Sequence, residues 1–202
     1  MSETMYSLDR DLNEAQAMVN GLDAYVRGST LYGSTSGGMF GSGGMPSLTV
    51  GALLMRLRRL HALEDRMNDT QRGTLAQIES KHDAVRREWS VHYHQKLTQE
   101  AASRLKAMTA FFDECADRPR TCGSIYLPEA LRRTIVQEIL DAMQASGTPS
   151  DELSKEARRI DAQLRRFTQP SLFIWAPALA DVYPQNVYWW LYAKPPKGDS
   201  DS

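Results

Sequence analysis

Apolar residues recur through the first turns of the chain at the spacing of a helix packed along another helix. Leu8, Leu12, Ala15, Val19, Leu22 and Val26 are separated by 4, 3, 4, 3 and 4 positions, which keeps them on one stripe. Ser7 precedes that stripe as an N-cap, and Gly28 follows it as a C′ residue. Asp9, Arg10, Asp11, Asn13, Glu14 and Asp23 fall on the expected outer face. The pattern predicts an N-terminal helix over 1–27.

A second, wider apolar face is formed by Val50, Leu53, Leu54, Leu57, Leu60, Leu63 and Met67. Pro46 and Ser47 suit the first turn of that helix. Helical spacing then runs on through Leu75, Ile78, Val85 and Trp89, and through Leu97, Ala101, Leu105, Met108 and Phe112. A long central helix over 47–115 is expected, with a weak point at 68–74. Gly73 is a poor helix former there, and Thr74-Leu75-Ala76-Gln77 has the form of a capping box. The stripe at Leu75, Ile78, Val85 and Trp89 is too narrow for a full core and should bury against one partner helix. It is read as a self-association seam with a second chain, so a homo-oligomer is expected.

Beyond residue 115 the helical pattern resumes twice. Pro128 opens a segment carrying Leu131, Ile135, Ile139 and Ala142, which Gly147 and Pro149 end. Ser150 caps the next, where Leu153, Ala157, Ile160, Leu164 and Phe167 repeat the spacing 4, 3, 4, 3 before Pro170. These make a C-terminal helical hairpin over 116–169. Residues 170–194 change character and hold three of the four tryptophans. They read as an aromatic cap, and 195–202 as a disordered tail. The expected fold class is therefore all-α: about five helices, a helical bundle of coiled-coil hairpins on a long central helix, with an aromatic C-terminal cap.

One stretch breaks the pattern. Residues 28–55 carry no charge, and 28–44 hold seven of the thirteen glycines. Folding such a segment loses much backbone entropy for little burial, so 28–46 reads as a flexible Gly/Ser-rich linker. Its glycines and serines dilute it too heavily for a membrane span. No lysine follows them as a phosphate-binding loop requires. Leu31, Tyr32, Met39 and Phe40 are apolar exceptions that could fasten the linker to the core.

Composition narrows the function classes. A quarter of the chain is charged, 42% is hydrophobic and the net charge is −1. That balance fits a soluble globular protein and argues against a strongly basic nucleic-acid binder. The polar N-terminus lacks a secretory signal, and with only two cysteines a cytoplasmic chain with free thiols at Cys115 and Cys122 is expected.

Candidate chemistry is sparse. Glu79 and His82 form one Glu-x-x-His pair, half of what a bundle di-iron site needs, and no second pair exists. A solvated helix surface is the simpler reading, and His61, His92 and His94 form no ligand set in sequence. No nucleophile motif is present. Hence no catalytic residue, cofactor or metal site is assigned. Five arginine pairs stand out: Arg58-Arg59, Arg86-Arg87, Arg132-Arg133, Arg158-Arg159 and Arg165-Arg166. Guanidinium groups suit phosphate, yet each pair has acidic neighbours. Trp175, Tyr188, Trp189, Trp190 and Tyr192 either cap the helical core or form a partner-binding patch. The functional expectation is a non-enzymatic helical scaffold or adaptor that self-associates and binds a protein partner. The alternative is a nucleic-acid-binding accessory protein that uses the arginine pairs.

Overall fold

Ser7 caps the first helix as its sequence predicts: its Oγ accepts a hydrogen bond from the Arg10 N–H at 3.2 Å. The computed structural model describes residues 5–35, 46–117 and 126–196. Among them are six α-helices: α1 (Leu8–Arg27), α2 (Val50–Ala62), α3 (Asp69–Glu88), α4 (Ser90–Asp117), α5 (Tyr126–Ala145) and α6 (Asp151–Phe167). The only sheet in the described residues is a ribbon of two antiparallel strands, β1 (Gln169–Pro170) and β2 (Ala193–Lys194), with Gln169 opposite Lys194. The fold class is all-α, and an aromatic cluster lies near the C-terminus. No helix among the described residues is long and apolar enough to cross a membrane.

The expected central helix is divided. Its first segment ends at Ala62, a single 3₁₀ turn follows at Glu64–Arg66, and α3 starts afresh behind Asn68. Asn68 and Gln71 form a reciprocal capping box, each side chain bonding the other's backbone N–H at 2.9 Å. Buried Leu63 and Met67 pin the corner on either side of the turn. The break thus ends at Asn68, the first residue of the expected weak point, and Gly73 lies inside α3. A second interruption falls at Trp89, whose φ of −112° and ψ of 37° leave the helical region. Its indole is held by α1, as described below. α2 also begins later than Pro46 suggests, behind Thr49, whose hydroxyl accepts the Ala52 N–H at 3.2 Å.

The segment read as a free linker is fastened where it is described. Gly33 and Leu48 form an antiparallel bridge with N···O distances of 3.0 and 2.8 Å. The Tyr25 hydroxyl donates to Leu31 O at 2.8 Å, and Thr35 Oγ1 to Pro46 O at 3.3 Å. A Cβ at Gly33 would stand 3.0 Å from the Tyr25 ring, so a side chain there would require the ring to give by a few tenths of an ångström. Met39, Phe40 and Cys122 lie outside the described residues. So does the tail from 197 onward. Cys115 is disulfide-bonded, which corrects the expectation of free thiols.

The chain divides into two compact units, Ser7–Glu100 and a second from Ala101 on, with the boundary inside α4. In the first, α1 packs on both α2 and α3. Met18, Leu22, Leu53, Leu60, Leu75, Ile78 and Leu97 are fully buried there. In the second, α5 and α6 form a hairpin whose turn follows a Schellman pattern. Gly147 takes φ of +66°, Thr148 N–H reaches Met143 O at 2.8 Å, and Gly147 N–H reaches Gln144 O at 3.1 Å. Phe111 and Phe112 of α4 meet Phe167 at the end of α6, each with ring centroids 6.1 Å apart.

Candidate functional site

The narrow stripe of α3 does bury against one helix, and that helix is α1 of the same chain. Leu75 and Ile78 are buried within the first unit. Polar contacts fix the register beside them: Gln71 donates to Asp9 at 2.7 Å, Lys81 to Asn20 at 2.9 Å, and Trp89 Nε1 to Asp23 at 2.8 Å. Arg27 lies 5.3 Å from the Trp89 ring centroid. Of the four seam residues, only Val85 and Trp89 remain half-exposed.

Two carboxylates assigned to the outer face of α1 are buried instead. Glu14 faces α2, where Arg56 Nε and Nη2 donate to its Oε2 at 2.9 and 2.5 Å. Arg10 Nε takes its Oε1 at 2.8 Å. Burial pushes the Glu14 pKa up, but the Arg10 hydrogen bond and the Arg56 charge outweigh it and hold the carboxyl below its ordinary value. Asp11 stands 3.5 Å from Arg59. The overlooked signal was Arg56 itself, a cation inside the apolar run Leu53-Leu54-Met55-Arg56-Leu57. A charge there requires a buried partner.

Three further buried polar groups come from α3 and α4. Glu100 is 0% exposed, and its Oε2 accepts the Gly51 N–H at 2.8 Å, satisfying a donor at the start of α2. Lys96 Nζ donates to Thr30 O at 2.6 Å and lies 4.6 Å from the Tyr25 ring centroid. His82, read as a solvated residue, is buried, and its Nε2 is hydrogen-bonded to the Tyr93 hydroxyl at 2.8 Å. Burial lowers the His82 pKa to about 4 and raises that of Tyr93. Glu79 points away and pairs with His61 on the exposed surface. Among the described residues no group of three potential metal ligands occurs.

In the second unit, Tyr183, Tyr188 and Trp190 are fully buried and form the core. Side chains of α5 read this irregular segment one group at a time. The Tyr188 hydroxyl donates to Glu138 at 2.8 Å, Trp190 Nε1 donates to Thr134 Oγ1 at 2.9 Å, and the Tyr126 hydroxyl donates to Trp190 O at 2.8 Å. Arg133 stacks 4.1 Å from the Trp190 ring centroid and grips both Asp161 oxygens, at 2.7 and 3.0 Å. Trp175, Trp189 and Tyr192 stay half-exposed, and Arg165 covers the Trp189 ring at 3.9 Å. Of the five residues expected to form a patch, two are interior and three are half-exposed. Beside them Leu172 is exposed and Phe173 and Ile174 are half-exposed.

The arginine pairs separate by role. Arg59, Arg133 and Arg165 are held by Asp11, Asp161 and Trp189, while Arg132 pairs with Glu129 and Arg159 with Glu156. Arg58 is half-buried. Arg86 pairs with Asp83, and Arg87, Arg158 and Arg166 are exposed. Comparison with protein-family models, with curated proteins and with solved structures finds no match to this chain.

Proposed function

We propose that the chain is a non-enzymatic helical scaffold that self-associates and binds a protein partner through the apolar surface of its second unit. The observation that carries this reading is the run at 172–178. Leu172 is 89% exposed, with Phe173, Ile174 and Trp175 half-exposed beside it. Adjacent apolar side chains left on a surface mark interaction sites, and aromatic anchors supply much of the energy at such contacts.

The run is also held in place, which lowers the ordering cost of binding. Ser171 N–H donates to Tyr192 O at 2.8 Å, Ile174 N–H to Leu191 O at 2.9 Å, and the Phe173 ring packs 5.1 Å from that of Tyr192. Self-association accordingly moves from the α3 stripe to this surface. The buried ionisable groups Glu14, Glu100 and Glu138 each close a contact between elements, which supports a structural role for them.

Size-exclusion chromatography with light scattering across a concentration series tests the reading. The native chain should have the mass of a dimer or larger, and the double variant Leu172→Asp, Trp175→Ser that of a monomer. A native monomer at every concentration, matching the variant, removes it.

A further inference from the structure

The outward face of α6 differs in charge from every other helix surface in the described chain. From Lys155 on, the exposed positions are Lys155, Arg158, Arg159, Ala162, Arg165 and Arg166. At about 100° per residue they share an arc of about 120°, so five cations line one side of the helix over roughly 16 Å. No exposed carboxylate of α6 falls among them, while Asp151 and Glu152 are exposed in the turn before Lys155 and Asp113 of α4 acts on Arg159. The two acidic residues in the same stretch are half-buried: Asp161 turns inward to Arg133, and Glu156 pairs along the helix with Arg159. Elsewhere the signs alternate, as where Asp69 pairs with Arg72 and Asp83 with Arg86 on α3. In a chain of net charge −1 this is a local asymmetry.

Helix-dipole stabilisation accounts for Arg165 and Arg166 in the last turn but not for Lys155 and Arg158, three and two turns earlier. Neither Lys155, Arg158 nor Arg166 forms an ion pair among the described residues. We infer that this face of α6 binds the phosphate backbone of a nucleic-acid duplex without reading its sequence. Charge complementarity over a rigid helix supplies the attraction, and guanidinium groups match phosphate oxygens in geometry. A single strand would need bare aromatic faces on which to stack its bases. Trp189, the ring beneath Arg165, is covered by that guanidinium. A lipid surface would need an apolar face to insert. Ala157, Ile160 and Leu164 on the opposite side of α6 are buried within the chain.

Anisotropy of a labelled random-sequence DNA duplex, titrated with the full chain at several salt concentrations, tests the inference independently of the solution mass. Binding should weaken with salt at a log–log slope of about −4. The double variant Arg158→Gln, Arg166→Gln should shallow that slope by about 2 and leave the circular dichroism unchanged. The control Arg86→Gln, Arg87→Gln on α3 should bind as the native chain does. No anisotropy change at low salt overturns the inference. So does an equal loss in both double variants, or displacement of the duplex by polyglutamate as readily as by unlabelled duplex.

Discussion

The two units solve the same packing problem with different polar chemistry. Ser7–Glu100 joins helix to helix, and its buried polar contacts are largely charged: Glu14 with Arg56, Asp11 with Arg59, and Glu100 on the Gly51 N–H. The second unit holds a largely non-helical segment against α5, mainly through phenol and indole donors. A helix satisfies its own backbone, so only side-chain register between helices needs fixing, and paired charges can do that. An irregular segment lacks that internal ladder. It is positioned by side chains that combine large apolar area with a single directed hydrogen bond, as Tyr and Trp do.

Removing the largest element of the aromatic segment should do the most damage. Trp190→Ala is expected to cost about 4 kcal/mol, since it leaves a large cavity in the core and removes the indole donor from Thr134, whose hydroxyl keeps only its bond to Ala130 O. Hydrogen exchange followed by mass spectrometry should show protection lost first in α5. Protection lost evenly across α1 to α3 as well would erase the contrast between the units.

Next in size is Arg56→Ala, expected to cost about 3 kcal/mol because Glu14 loses its buried partner on Oε2 and keeps only Arg10 on Oε1. The double replacement Glu14→Leu, Arg56→Met should recover most of that loss in urea unfolding. If the double variant is as unstable as the single, the ion pair contributes stability and not merely register.

Acid provides a third, smaller probe of the first unit. His82 titrates near 6.5 when unfolded and near 4 when folded, so the fold favours its neutral form. Its contribution is complete above pH 6.5 and drains away as pH falls towards 4, by on the order of 2 kcal/mol. Glu14, held below its ordinary value, adds a further loss at still lower pH. His82→Gln should flatten stability between pH 6.5 and 4, and an acid limb identical to the native one would exonerate His82.

The mildest pair of changes acts on glycine. Gly147 sits at φ +66°, so Gly147→Ala should destabilise by about 1 kcal/mol. A Cβ at Gly73 in α3 would meet nothing within 4 Å, so Gly73→Ala should stabilise by about 1 kcal/mol. Thermal melts of the two variants should shift in opposite directions.

How much of this was legible in the chain follows from the same contrast. Stripes at helical spacing locate α1, α5 and α6, and Ser7, Gly147 and Pro170 mark their ends, because those signals are local, whereas α3 reads as part of one long helix over 47–115. The partner of a stripe is not local. Leu75 and Ile78 read the same whether they face a second chain or α1, and only the structure supplies α1. The corner at 63–68 meets the weak point at 68–74 only at Asn68, because Leu63 and Met67 continue the apolar spacing straight through its first part. Glu14 and His82 were placed on the surface because a buried charge or imidazole depends on a partner far away in sequence. In the aromatic segment, composition identified core material, but which rings were interior depended on the α5 donors and acceptors they meet.

The distribution of indoles has a practical consequence for anyone following unfolding by light. Three of the four tryptophans belong to the second unit, and Trp190 lies fully buried beside Tyr188, with their ring centroids 5.5 Å apart. Its emission should be blue-shifted and fed by energy transfer from that tyrosine. Far-UV ellipticity, in contrast, draws on helices from both units. The fluorescence and ellipticity midpoints therefore form a built-in test of cooperativity. They coincide if the units melt together, and they part if the aromatic segment lets go on its own.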